Sequence, residues 1–116
     1  MSVTLFHNPR CSKSRATLAL LEERDIAPVI RLYLEVVPNA SEITQLLQQL
    51  GMDDARSLMR KGEDAYKQHE LSDTSLSQAQ LVEAMVAHPK LIERPIVIHQ
   101  GQARIGRPPE SVLEIL

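Results

Sequence analysis

The chain opens on a short β-prone run, Val3-Thr4-Leu5-Phe6-His7, and Pro9 disfavours helix at Asn8, so the strand must pass into a loop. From Ser12 to about Arg24 the composition turns helical, with Ala16, Leu18, Ala19, Leu20 and Leu21 supplying a wide apolar face. Pro28 breaks that pattern. Val29-Ile30-Arg31-Leu32-Tyr33-Leu34 is nearly continuous in apolar residues, which predicts a second strand in a central position of a sheet. A helix joining two strands predicts a parallel, right-handed βαβ unit.

A connector follows at Pro38-Asn39-Ala40. Asn39 or Ser41 can cap the next helix, where Ile43, Leu46, Leu47 and Leu50 recur at helical spacing, and Gly51 suits its C-terminal stop. Weaker periodicity predicts short helices around Asp54–Arg60 and Glu63–His69. Ser77 and Gln80 have the spacing of a capping box ahead of Leu81, Val82, Met85 and Val86, and Pro89 closes that helix. Ile96-Val97-Ile98-His99 reads as a strand, Gln100-Gly101 as a turn and Ala103-Arg104-Ile105 as the returning strand. Pro108 and Pro109 can start a terminal helix over Glu110–Leu116. The order is β-α-β, a helical insert, then β-β-α. It predicts an α/β, thioredoxin-like fold: a four-stranded mixed sheet with flanking helices, in a single domain over residues 1–116.

Composition narrows the function. The 116 residues are 43% hydrophobic, enough for one modest core, and the formal net charge is −2. That balance, with only Phe6, Tyr33 and Tyr66 as aromatics, argues against a nucleic-acid binder. No apolar stretch approaches the roughly 18–20 residues of a membrane span, and no secretory signal is visible. One cysteine can form no internal disulfide and no structural zinc site, so a reducing, cytoplasmic setting is expected.

That cysteine, Cys11, falls between the first predicted strand and the first predicted helix. Unpaired backbone N–H groups and the positive end of the helix dipole lie at such a junction, and both favour the thiolate. A thiol so placed can have its pKa lowered to roughly 3.5–7.5, and the thiolate is the form that attacks. A lone cysteine is otherwise often a small buried hydrophobe. Here the flanking sequence His7-Asn8-Pro9-Arg10-Cys11-Ser12-Lys13-Ser14-Arg15 carries three formal cations and no carboxylate, and the sulfur should face solvent. His7, if protonated, would add to the shift. Ser14 lies one turn beyond, so its hydroxyl could donate to the sulfur; a solvent-facing serine is the competing reading. With no second cysteine to resolve an adduct, another molecule's thiol must do so, and glutathione is the expected one.

Three arginines bear on what the sulfur would attack. Arg94 precedes Pro95 and the strand Ile96–His99, which holds its backbone extended. Arg107 sits between Gly106 and Pro108. In a thioredoxin-like fold both loops rise beside the start of the first helix, where guanidinium forks could hold a tetrahedral oxyanion. Arg60 lies in the helical insert and reaches the site only if that insert folds over it. His69, His88 and His99 have no metal-ligand spacing, and there is no P-loop, GxGxxG or GxSxG motif. Cys11 to Arg15 is C-x3-R, not the C-x5-R loop of the low-molecular-weight phosphatase type.

From about residue 3 to residue 116 the chain resembles the glutaredoxin-coupled arsenate reductase family, and within it the short, chromosomally encoded YfgD-like branch. The resemblance is carried by His7–Arg15, Tyr33-Leu34-Glu35, Leu58-Met59-Arg60-Lys61, Glu93-Arg94-Pro95-Ile96-Val97 and Arg107-Pro108-Pro109. It implies that Cys11 displaces water or hydroxide from arsenate to give a thiol-arsenate adduct. Arg60, Arg94 and Arg107 would then match the family's oxyanion-binding arginines, and His7 and Ser14 its cysteine-tuning residues. Glutathione would act as co-substrate and glutaredoxin would clear the mixed disulfide, with no bound cofactor or metal. Pro95 would be the fold's cis proline. Arg10 and Ser12-Lys13 replace smaller residues carried by family members with established arsenate activity. Two other readings keep the same fold: a reductase of another electrophile, such as glutathionylated proteins, and an Spx-type RNA-polymerase-binding regulator. The regulator typically carries a C-x-x-C switch, and its second position is Ser14 here.

Overall fold

The computed structural model describes residues 2–116, which form two compact units: residues up to Val36 with Arg94–Leu116, and Val37–Glu93. The first unit holds a four-stranded mixed sheet in the order β2-β1-β3-β4, with β1 at Thr4–Phe6, β2 at Val29–Arg31, β3 at Ile96–His99 and β4 at Gln102–Ile105. Strand β1 pairs parallel with β2 (Leu5 opposite Ile30) and antiparallel with β3 (Leu5 opposite Val97). The β3–β4 hairpin turns at Gln100 and Gly101, both at positive φ (52° and 77°), the pair of left-handed residues a two-residue hairpin needs.

Helix α1, Ser12–Glu23, and a terminal 310 segment, Pro109–Ile115, pack on this sheet. Val3, Leu5, Leu21, Val97, Val112 and Ile115 form the core, with Leu18, Leu20 and Ile26 against it. Phe6 stacks on Tyr33, with ring centroids 6.3 Å apart.

Three expectations are corrected. Strand β2 is an edge, not a central strand, and it stops at Arg31; Val29 and Ile30 are 57% and 40% exposed. Its apolar run is split between the short strand and the turn that buries Tyr33. In α1 the buried stripe is Ser14, Thr17 and Leu21, while Ala16 and Ala19 face out. Spacing of apolar residues missed that stripe because its N-terminal half is polar. The terminal element is also 310 rather than α.

The helical insert is the second unit. Helix α2, Ala40–Leu50, is capped by the Asn39 side chain in a capping box with Glu42, and stops at Gly51 in the left-handed conformation. It buries Ile43, Leu46 and Leu47; α4, Gln78–Ala87, has the Ser77–Gln80 capping box and buries Leu81, Val82 and Met85. Between them lie the 310 turn Ala55–Leu58 and the short helix α3, Asp64–Gln68. Arg56 binds these loops together, donating from Nε to the Leu71 carbonyl (2.7 Å) and from Nη2 to that of Asp73 (2.6 Å). The Leu58–Arg60 segment runs beside Leu91–Glu93 through an antiparallel bridge between Met59 and Ile92. Among the described residues no helix is long and apolar enough to cross a membrane.

Candidate functional site

The site is built at the exit of β1. The His7 amide continues the ladder to the Arg31 carbonyl (2.9 Å), after which the chain turns at Pro9-Arg10. That turn is closed twice, by the Cys11 amide on the Asn8 carbonyl (3.0 Å) and by the Arg10 amide on Asn8 Oδ1 (3.1 Å). Arg15 reaches back from Nη1 to the Pro9 carbonyl (2.9 Å). Cys11 is thereby fixed as the N-cap of α1, in extended conformation (φ −94°, ψ 125°). An N-cap side chain normally offers an oxygen to the free amides of the first turn. Here the sulfur stands in that position, facing the amides of Ser14 and Lys13.

Two of the three predicted arginines converge on the sulfur. The Arg94 guanidinium hydrogen-bonds to it, and Arg107 Nη2 lies 3.7 Å away. Arg107 is itself anchored by donating from Nε to the Arg94 carbonyl (2.8 Å). Arg94 leads into Pro95 and Arg107 into Pro108, each through a cis peptide bond. The resemblance implied the first of these; the second was not anticipated. Burial pushes the Cys11 thiol up, but the Ser14 amide, the Arg94 guanidinium and the Lys13 amide together outweigh it, and the pKa falls below the ordinary thiol value. The residue is more enclosed than expected, 9% exposed.

Arg60 lies in the second unit, where its guanidinium is 3.6 Å from the Glu63 carboxylate and 3.8 Å from that of Glu93. His7 is placed beside the site but is not a cation there. Its ring is buried, 6% exposed; burial first, and the Arg15 charge second, hold its pKa below 6.5, so it adds no charge to the sulfur's surroundings. The fully buried Ser14 hydroxyl is engaged by His7 Nδ1 (2.7 Å) and by the Asn8 amide (3.0 Å). What Ser14 offers the sulfur is its main-chain N–H. Its side chain instead ties the loop to the helix. Among the described residues no cluster of three or more potential metal ligands exists.

A neutral buried histidine has a pH signature. His7 has a folded pKa below its unfolded one, so the unfolded chain binds the extra proton first as pH falls. Its contribution to stability is complete above about pH 6.5 and is lost as pH drops toward the folded pKa. Urea denaturation midpoints measured from pH 7.5 to 5 should decline for the wild type and decline less for His7→Gln. Parallel declines in the two proteins would show that His7 is not the group responsible.

Spacing and residue type pointed to Cys11, Arg94 and Arg107, but assigned no role to Asn8 or Thr17. Asn8 shapes the turn through both its main chain and its side chain. Thr17 is fully buried and looked like an ordinary helix residue. The chemistry open to this arrangement is attack by an activated thiolate on a small oxyanion held by guanidinium groups.

Known proteins share the whole framework. Over 114 residues the chain is 57% identical to the uncharacterized protein YfgD of Escherichia coli K12, covering 98% of this chain and 96% of that one. It is 53% identical over 116 residues to the arsenate reductase of Haemophilus influenzae, with both chains fully covered. The solved structure of arsenate reductase from Vibrio cholerae superposes with a TM-score of 0.98 at 58% identity, covering 100% of this chain and 98% of that chain. The ArsC family model matches residues 6–115, a span that takes in Cys11, Arg94 and Arg107 together, and the chain belongs to the ArsC family.

Proposed function

We propose that this protein reduces arsenate to arsenite, with Cys11 as nucleophile and glutathione and glutaredoxin as the reducing partners. The observation that carries the reading is the chain's one sulfur nucleophile held among two guanidinium groups and the first amides of α1. The arsenate reductases of Haemophilus influenzae and Vibrio cholerae, similar over their whole length, support the choice of oxyanion.

Arg94 and Arg107 hold arsenate oxygens and neutralise the charge that would otherwise repel the thiolate. Cys11 Sγ forms a bond to arsenic and one oxygen departs as hydroxide, taking a proton to become water. The glutathione thiolate then attacks Cys11 Sγ. The sulfur–arsenic bond breaks with its electron pair passing to arsenic, which leaves as arsenite. A disulfide between Cys11 and glutathione remains. Glutaredoxin attacks the glutathione sulfur, and Cys11 returns as thiolate. A single cysteine suits this cycle, because no internal disulfide competes with the external thiol.

The test is arsenate-dependent NADPH oxidation with glutathione, glutathione reductase and glutaredoxin supplied. Turnover should require arsenate, glutathione and glutaredoxin together, with omission of any one returning the rate to background. No arsenate-dependent oxidation in the complete mixture would overturn the reading. Oxidation driven instead by a glutathionylated protein would reassign Cys11 to deglutathionylation.

A further inference from the structure

Where Arg107 stands depends on the residue before it. Gly106 follows β4 and is buried, its amide bound to the Pro95 carbonyl (2.9 Å). A Cβ at this position would lie 2.5 Å from Thr17 Oγ1 and 2.8 Å from Pro95 Cγ, closer than real Cβ atoms come. So the loop bearing Arg107 is pressed flush against the side of α1 on one hand and the Arg94–Pro95 segment on the other. On the helix side the contact does not yield easily. Thr17 is fully buried, and its hydroxyl donates to the Lys13 carbonyl (2.9 Å), locking the rotamer one turn and a half after Cys11.

We propose that the Gly106–Thr17 contact is a positioning element that sets the approach of the Arg107 and Arg94 guanidinium groups to the Cys11 sulfur. Neither residue bonds to the sulfur; both act through Arg107 and Arg94. The three segments that meet at Gly106 each deliver one component of the site: α1 presents Cys11 at its cap, the turn before β3 presents Arg94, and the loop after β4 presents Arg107. Any side chain at position 106 drives these segments apart. Any displacement of the loop after β4 carries Arg107 with it. Its two links, Nε to the Arg94 carbonyl and Nη2 to the sulfur, lengthen together.

The inference rests on the thiolate reading above, so the experiment begins by separating the two. Iodoacetamide alkylation of Cys11 is followed across pH for wild type, Gly106→Ala, Thr17→Ala, the double variant Gly106→Ala/Thr17→Ala, and Thr17→Val. A wild-type thiol that alkylates only in its free range overturns the nucleophile reading and this proposal with it. Given a wild type that reacts at lower pH, Gly106→Ala should react roughly five- to tenfold more slowly near neutrality and recover at higher pH. Its kcat/KM for arsenate should fall about ten- to a hundredfold, as sub-ångström to ångström misplacement of a substrate-holding group does. Thr17→Ala removes both threonine atoms that crowd position 106 but leaves Pro95 Cγ, so the double variant should regain part of the alkylation rate. Thr17→Val presses a larger methyl on the same contact from the helix side and should shift the profile in the same direction, less far. It also supplies the measurement if Gly106→Ala does not fold. A wild-type profile in Gly106→Ala and Thr17→Val, or a Gly106→Ala defect that Thr17→Ala fails to relieve, overturns the positioning role.

Discussion

Cys11→Ser should bring arsenate turnover to background, a loss of at least about a thousandfold, while leaving oxyanion binding intact or slightly tighter. Both halves follow from the same geometry. A serine hydroxyl at this position stays protonated near neutrality, so the attacking form is all but absent. Even a slow oxygen adduct could not be resolved, because no sulfur–sulfur bond to glutathione can form. The fold is not at risk. Serine is among the preferred N-cap residues, and its oxygen would accept from the same first-turn amides that now face the sulfur. Arg94 and Arg107 remain, and losing the thiolate's negative charge lowers repulsion of an anion, so sulfate or arsenate protection against thermal unfolding should persist or grow. Residual turnover above a few per cent of wild type would mean that another group performs the chemistry.

The fold was legible where local rules act alone. The Ser77–Gln80 capping box, the Gly51 stop and the Gln100-Gly101 turn all follow from residues within a few positions of one another. Legibility failed where tertiary packing reverses a local preference. Val29 and Ile30 look like core residues yet lie on an open edge, and Ser14, open in the sequence between the sulfur and solvent, is fully buried with the unremarked Thr17. These two errors differ in kind. The first is a strand too short to use its apolar pattern. The second is the price of a site at a helix start: polar side chains must be buried to hold the loop and the arginines, and each has a hydrogen-bonded partner that satisfies it. His7 fails the same way. Its type suggests a charge, but its burial removes one. Cys11, Arg94 and Arg107 could be found from sequence because their flanking prolines and helix start mark special backbone. The glycine and threonine that align them carry no chemical signal of their own.

Arg94→Ala should cost about a hundredfold or more in kcat/KM for arsenate, and more than Arg107→Ala. Arg94 is half-buried and favours the thiolate through both a hydrogen bond and its charge, whereas Arg107 is exposed and donates to the sulfur only over a long 3.7 Å contact. Removing the Arg94 side chain takes away both a charge-assisted hydrogen bond to the thiolate and a fork for the oxyanion. It leaves in place the main-chain carbonyl that anchors Arg107, so the second arginine keeps its position and the loss is assignable to one group. The sign of the pH effect is fixed by the cause of the shift. With the guanidinium gone, burial acts against fewer opposing groups, the thiol pKa rises, and less thiolate is present near neutrality. Raising the pH should then restore part of the rate lost by Arg94→Ala, but not the part lost to weaker oxyanion binding, which appears as a raised KM at every pH. Arg94→Lys separates the two contributions. A lysine keeps the cation that favours the thiolate but lacks the planar fork, so its alkylation profile should lie near wild type while kcat/KM for arsenate stays low. Wild-type kinetics and a wild-type alkylation profile in Arg94→Ala would remove the guanidinium from the mechanism. An Arg94→Lys protein with full arsenate activity would show that charge alone, without bidentate geometry, is what the site requires.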